Sequence, residues 1–165
     1  MSITVTQALW FLPFVVPICF YVAYTDLAQM RITNQSVMAL AIIFVIVGFF
    51  VMPFDAYLWR LAALVIVLIV GIILNAAGAM GAGDSKFLAV AAPYIALGDL
   101  KLIIMLFMAT LLAAAVTHRG VKHTGLRRLA PDWDSWEQGK KFPMGLALGP
   151  CLALYLILGS FLGAR

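Results

Sequence analysis

An all-α membrane protein with about six transmembrane helices is predicted by three features: the composition, the lengths of the apolar runs and the placement of the charges. Of the 165 residues, 65% are hydrophobic and only 11% are charged, and the mean hydropathy is +1.07. Because roughly half of an ordinary soluble domain is apolar, this composition excludes a soluble globular protein. We therefore expect residues 1–165 to form a single integral-membrane domain.

Six apolar runs separated by polar connections account for the predicted helices: 8–25, 37–52, 57–77, 87–97, 102–116 and 144–162. Five of them are near the length that a spanning helix needs. The fourth has eleven residues, and an α-helix of that length would reach about 17 Å, well short of a hydrocarbon core of about 30 Å. It is expected to extend, to thin the bilayer or to re-enter.

The first run is predicted to be a retained helix, because no basic residue precedes it and it leads directly into Asp26 instead of a small-residue cleavage site. Cys19 and Cys151 lie in predicted helices without a CxxC pair, so we expect them to be packing residues. Asn75 lies inside the third run, where a hydrogen bond between helices is the ordinary explanation.

The distribution of Lys and Arg favours a six-span topology with the N-terminus outside, since cytoplasmic connections retain these residues. That topology places eight of the eleven basic residues inside. A five-span alternative, with a re-entrant fourth run and the N-terminus inside, places seven basic residues inside and four outside. Both topologies place Asp26 and Asp84 on the same side of the membrane.

The longest polar segment, 118–142, holds six of the eleven basic residues together with Trp133 and Trp136. Basic residues attract anionic lipid headgroups and Trp prefers the interface, so we expect a cytoplasmic loop lying along the membrane. Substrate docking is the less favoured alternative. His118 and His123 are five residues apart, a poor spacing for one helical face, and no metal site is expected there.

Asp26 and Asp84 are the candidate catalytic residues. A carboxylate costs about 2.5 to 3.5 kcal/mol at the centre of a membrane helix and less near an interface, so an acidic residue at the end of an apolar run invites a functional explanation. If the two carboxyls meet, they share a proton, and a water between them could attack an amide carbonyl without a metal. Helix dipoles predict Asp26 as the protonated partner and Asp84 as the ionised one.

The tetrad GAGD at 81–84 contributes two glycines beside the second aspartate. Gly81 and Gly83 are expected to adopt backbone conformations closed to other residues and to let an extended substrate approach. Structural alternatives stay open for both acids. Asp84 could simply be the N-cap of the next helix, and Asp26 could be an interfacial charge paired with Arg31.

Three motifs resemble the type IV prepilin peptidases, a family of GxGD-type membrane aspartyl proteases. They are DLAQMRITN at 26–34, GAGDSK at 81–86 and PMGLALG at 143–149. The resemblance implies that Asp26 and Asp84 are the catalytic pair, at the cytoplasmic face of the cell's inner (cytoplasmic) membrane. It also implies that the site is shaped by the matching residues Arg31, Asn34, Gly81, Gly83, Lys86, Pro143 and Gly145.

The implied activity is removal of the short basic leader from membrane-inserted prepilins or pseudopilins. The implied partners are that substrate and membrane lipids, with no cofactor, metal or nucleic acid; the particular prepilin and the oligomeric state are not indicated. Lys86 could orient Asp84 or the substrate, or could be an ordinary interfacial lysine.

The sequence departs from the family pattern in two respects, and the second narrows the predicted activity. Thr33 stands where the family often has proline, but Thr33 and Asn34 can still cap the second helix. Long members carry an N-terminal cytosolic region with paired cysteines and methylate the new N-terminus. This sequence resembles the short forms associated with Flp or tight-adherence pili, so methyltransferase activity is not expected.

Two non-peptidase functions are the alternatives. A small transporter or channel subunit would use intramembrane aspartates to carry protons or cations, usually near the midplane. A non-enzymatic assembly factor of a pilus or secretion system would tolerate replacement of both aspartates.

Overall fold

The described part of the chain is an all-α bundle, as predicted. The computed structural model describes residues 1–122, 124, 128, 130–137 and 142–165. Its six α-helices are α1 (Val5–Gln29), α2 (Asn34–Val51), α3 (Phe54–Ala76), α4 (Ala82–Ala91), α5 (Leu100–Lys122) and α6 (Gly145–Leu162). All except α4 are long and apolar enough to cross a membrane.

The first and last helices form the centre of the bundle. α1 and α6 pack against each other more extensively than any other pair of elements, whereas α3 and α5 bury little of their surface within the protein. Large apolar side chains on these outer helices, such as Ile73 and Leu112, are therefore exposed. A bilayer would cover them, as the composition predicts.

The fourth apolar run extends by partly unwinding, and it does not turn back. After the ten residues of α4, the chain forms two 3₁₀ turns, Ala92–Tyr94 and Leu97–Asp99. Ile95 and Ala96 between them are extended. A 3₁₀ turn rises about 2.0 Å per residue and an extended residue about 3.3 Å, against 1.5 Å in an α-helix. Fewer residues thus cover the same length.

Contacts at the two ends of this segment show that it runs the length of the bundle. Asp84 lines the same cavity as Asp26, near the end of α1. Asp99 instead accepts hydrogen bonds from the N–H groups of Ser2 and Ile3, at 2.7 and 3.0 Å, just before α1 begins. The five-span alternative with a re-entrant fourth run is therefore wrong. Asp26 and Asp84 lie at the same end of a bundle of six segments that each run its length.

The buried Asp99 has a structural role at the end opposite the candidate site. Besides the two backbone donors, it accepts a hydrogen bond at 2.8 Å from the hydroxyl of Tyr155 on α6. That hydroxyl in turn accepts one from the N–H of Ala96 at 3.0 Å. These bonds satisfy a buried carboxylate and tie the unwound segment to α6 and to the start of the chain.

Helix boundaries follow from capping side chains. Thr4 forms a capping box with Gln7 at the start of α1. Thr33 is the N-cap of α2 and accepts a hydrogen bond from the N–H of Ser36 at 3.3 Å, which confirms the predicted capping role. Asn34 is the first residue of α2 and not its cap.

Gly149 lets α6 approach α1. A methyl group at this position would overlap the backbone carbonyl oxygen of Cys19. Cys19 and Cys151 are both free and buried, as expected of packing residues.

We expect Gly149→Ala to destabilise the protein by about 1 to 3 kcal/mol, since backbone atoms cannot move aside as a side chain can. Thermal unfolding in detergent measures this loss. Gly120→Ala on α5 is the matched control, because an added methyl there meets no atom of the described residues within 4 Å, and it should be neutral or stabilising by about 0.5 to 1 kcal/mol. Equal melting temperatures for the two variants would contradict the packing argument.

Candidate active site

A cavity of about 870 Å³ opens at one end of the bundle and contains both predicted catalytic aspartates. The α1–α2 and α3–α4 connections and the approach to α6 all contribute to its walls. Seven residues predicted from the sequence line it: Asp26, Arg31, Asn34, Gly81, Gly83, Asp84 and Lys86. Pro143 and Gly145, the other two, are buried beside the cavity at the start of α6.

Asp26 lies in the last turn of α1 and is held by the beginning of α6. Its side chain is only 5% exposed. The N–H of Gly145 donates a hydrogen bond of 2.6 Å to its Oδ2. Because Gly145 is the first residue of α6, the carboxyl sits at a helix N-terminus, where a negative charge is favoured.

Space explains the glycine at 145, whereas the hydrogen bond needs only a backbone N–H. A Cβ atom there would lie 2.9 Å from Cβ and 3.0 Å from Oδ2 of Asp26. The contact supplies the physical reason for a glycine in the third motif, which the sequence alone did not indicate.

Asp84 lies in the first turn of α4, and its carboxyl faces the backbone of Gly81. The N-cap of α4 is Gly81, so the alternative that Asp84 is itself the N-cap is wrong. A Cβ atom at Gly81 would lie 2.8 Å from Oδ2 of Asp84. Gly81 therefore leaves room for the carboxyl.

The predicted conformational role of the tetrad glycines is wrong. Gly81 has φ −67° and ψ 145°, which any residue can adopt. Among the described glycines, positive φ occurs at Gly78, with φ 72°. A Cβ at Gly83 would make only an ordinary contact, 3.4 Å from Cβ of Ile32. The first glycine therefore leaves room for the carboxyl, and the space around the second gives no reason for a glycine there.

Two side-chain hydrogen bonds support the walls of the cavity. Asn75 donates to the carbonyl oxygen of Met80 at 2.8 Å, within the α3–α4 connection. The expected bond between helices is therefore wrong, and Asn75 shapes the approach to the tetrad. Lys86 donates to Oδ1 of Asn34 at 3.0 Å and so joins α4 to the start of α2.

The two carboxyls line one cavity. That they share a proton and titrate as a unit stays a prediction. The Gly145 N–H opposes the dipole of α1 by favouring an ionised Asp26. Gly145 is far from Asp26 in the sequence, so a prediction based on the dipole of each aspartate's own helix could not include this contact. Which of the two carboxyls holds the proton stays a prediction.

The segment 118–142 is only partly as predicted. His118 belongs to α5 and is buried. Its ring stacks on Trp136, with centroids 4.9 Å apart, and Trp136 is itself buried. Trp133 stacks on Trp136 and meets Tyr24 of α1. Trp136 thus packs inside the protein and Trp133 is half-buried, and the expectation that this segment lies along the membrane stays a prediction.

Several parts of this segment lie outside the described residues, namely 123, 125–127, 129 and 138–141. They include His123 and three of the six basic residues. Phe142, which follows, lines the catalytic cavity and meets the ring of His118. The described ranges contain no group of three or more His, Cys, Asp or Glu side chains placed to hold a metal ion.

Sequence reasoning did not identify the apolar members of the cavity wall: Met30, Ile32, Ala79, Met80, Phe142 and Met144. The available signal was their position beside the polar motif residues. These side chains place a carboxylate pair next to an apolar surface, which suits a peptide segment that adjoins a membrane helix.

Comparison with known proteins agrees with the geometry. The model of the type IV leader peptidase family matches residues 13–118, which include Asp26, the GAGD tetrad and Lys86. No curated protein and no solved structure matches significantly. Since the family model covers more than half of the sequence, this multi-pass membrane chain belongs to the type IV leader peptidase family, a family of aspartic-type peptidases.

Proposed function

We propose that the protein is an endopeptidase that cuts the short basic leader from type IV or Flp prepilins, or from pseudopilins, with Asp26 and Asp84 as its catalytic pair. The observation that carries the proposal is that both carboxyls line one cavity at the end of the bundle. A cut made there would fall at the end of a substrate's membrane helix. Family membership supports the same class of substrate.

In the proposed reaction, one ionised carboxylate accepts a proton from a water held between the pair, and the water oxygen bonds to the scissile carbonyl carbon. The protonated carboxyl donates its hydrogen to the carbonyl oxygen. The resulting tetrahedral diol then collapses: one hydroxyl gives its proton to the ionised carboxylate as its C=O bond re-forms, the C–N bond breaks, and the leaving nitrogen takes the proton of the other carboxyl. Acid/base assistance of this kind typically contributes about a hundredfold to ten-thousandfold.

Other residues would hold this arrangement in place. Gly145 fixes Asp26 through its N–H, and Gly81 leaves room for the carboxyl of Asp84. Lys86 would act through its bond to Asn34, which sets α4 against α2. Arg31 lines the same cavity and would contact the substrate backbone.

The cytoplasmic face of the cell's inner membrane is the proposed location of the site. Of the eight basic residues that the structure describes, five belong to the end that carries the cavity, as the retention of basic residues in the cytoplasm predicts. Arg60, Lys101 and Arg165 are the three at the other end. We propose an Flp-type or similar short-form peptidase without methyltransferase activity.

The position of the aspartates argues against the transporter alternative, because such groups usually lie near the bilayer midplane. Here both carboxyls lie at one end of the helix bundle, away from its middle. Cleavage of the prepilin distinguishes a peptidase from the assembly-factor alternative.

The test uses the purified full chain in lipid nanodiscs with an inserted prepilin. We expect the prepilin to lose its leader, and we expect the rate to be unchanged by EDTA, since the proposed pair needs no metal. Mass spectrometry of the product identifies the cut bond. An intact prepilin, or cleavage that EDTA abolishes, would contradict the proposal.

A further inference from the structure

A narrow apolar groove opens toward the membrane between α4 and α5. These helices are neighbours in sequence, yet α5 packs mainly on α6 and not on α4. The gap between them has a volume of about 190 Å³. Phe87, Leu88 and Ala91 line it from α4, Ile104 lines it from α5, and Leu148 and Leu152 of α6 form its floor.

The α4 wall of the groove belongs to the same helix that carries Asp84. Phe87, Leu88 and Ala91 follow Asp84 by three, four and seven residues within one helix. Residues with these spacings share a helical face. The face that carries the Asp84 carboxyl at its end is therefore the face that lines the groove.

The α6 floor has the same relationship to the other aspartate. Leu148 and Leu152 follow Gly145 by three and seven residues, and Gly145 binds the carboxyl of Asp26. The groove is therefore lined by the helix that carries Asp84 and by the helix whose first residue binds Asp26.

The lining selects an apolar occupant with projecting side chains. The residues that form the groove are apolar throughout. The floor is buried, with Leu148 and Leu152 at 3% and 2% exposure, whereas Ile104 at the rim is 62% exposed. A helix is about 10 Å across, so the groove would admit a ridge of its side chains and not the whole helix.

We propose that this groove binds the apolar helix of the membrane-inserted prepilin, an inference that rests on the proposed function. A helix laid against α4, α5 and α6 would end beside Asp84. Its leader would continue into the cavity, and the bond to be cut would lie at the junction. A lipid acyl chain would fit the same lining, and the experiment separates the two occupants, since a groove filled by lipid would leave KM for the prepilin unchanged when its lining is altered.

The test compares Ile104→Trp with Ile46→Trp, each as the full chain in nanodiscs. Ile46 is the matched control, because it is 55% exposed and lines a different apolar cavity, of about 570 Å³, between α1 and α2. Each variant receives two substrates: an inserted prepilin, and a soluble peptide that contains only the leader and the cleavage site.

We expect Ile104→Trp to raise KM for the inserted prepilin by about tenfold, because the indole would fill the space that the substrate's side chains enter, and close packing is what holds helices together in a bilayer. The rise should be larger for the inserted prepilin than for the peptide, which lacks the helix, and Ile46→Trp should cut both substrates as wild type does. Equal KM values for the two variants would overturn the groove assignment while leaving the peptidase intact. Failure of the wild type to cut either substrate would overturn the proposed function, and the groove's occupant with it.

Crosslinking provides a second measurement that does not depend on turnover. Ile104→Cys and Ile46→Cys are each combined with Asp84→Asn, so that an inserted prepilin with one cysteine in its helix stays uncut. A thiol crosslinker should join the prepilin to position 104 at least about tenfold more than to position 46. Equal yields at the two positions would overturn the proposal.

Discussion

Replacing either Asp26 or Asp84 with asparagine is expected to lower kcat for leader removal by about a thousandfold or more, with little change in KM. Asparagine keeps the size of the side chain but can neither accept the proton of the attacking water nor return one. Both residues line the cavity in which that water would be held. Single-turnover cleavage of an inserted prepilin in nanodiscs measures the loss.

The double variant distinguishes a working pair from two independent contributions. Groups that act as a unit lose most of their effect when either one is removed. We therefore expect Asp26→Asn with Asp84→Asn to be about as slow as either single variant. Asp55→Asn is the control, because Asp55 is an exposed carboxylate in the first turn of α3, at the other end of the bundle. Additive losses, or a comparable loss in the control, would contradict the paired mechanism.

Gly145→Ala is expected to lower kcat by about ten- to a hundredfold while the protein still folds. The added methyl would lie about 3 Å from the Asp26 carboxyl and would push it away from its N–H donor. A displacement of about 1 Å in a catalytic group can cost a hundredfold. The measurement is kcat and melting temperature on the same preparation, since loss of positioning lowers the first more than the second.

Gly120→Ala is the control for this substitution too, because it adds the same methyl group in open space. Normal kcat in Gly145→Ala would show that the close contact with α6 does not position Asp26. A melting temperature that falls in proportion to activity would assign Gly145 a role in folding alone.

The number of helices could be predicted from sequence because each pass needs its own apolar run, and the polar connections separate those runs. The shape of the fourth pass could not. Its eleven apolar residues were too few for a spanning α-helix, and several solutions were possible. The structure combines the short α4 with two 3₁₀ turns, and the contacts that hold it, from Asp99 to Ser2 and Ile3, join residues far apart in the chain.

For the site, the sequence predicted which residues line the cavity but not why some of them are there. Short motifs identified seven residues that line one cavity, because each motif lies in a connection at the same end of the bundle. The reasons for two glycines were not visible. Gly145 binds the carboxyl of Asp26, which lies 119 positions earlier in the sequence. Gly81 was given a conformational role, although its φ of −67° is ordinary and the space it leaves for Asp84 is what matters.

The central claim is that Asp26 and Asp84 together cut a prepilin, and the most direct test reads the prepilin N-terminus from cells. The prepilin is co-expressed with wild type, Asp26→Asn or Asp84→Asn, and its mass is determined by mass spectrometry. We predict a processed N-terminus with wild type and the full leader with each variant that accumulates in the membrane at the wild-type level. Processing that survives both single substitutions would remove these aspartates from the mechanism.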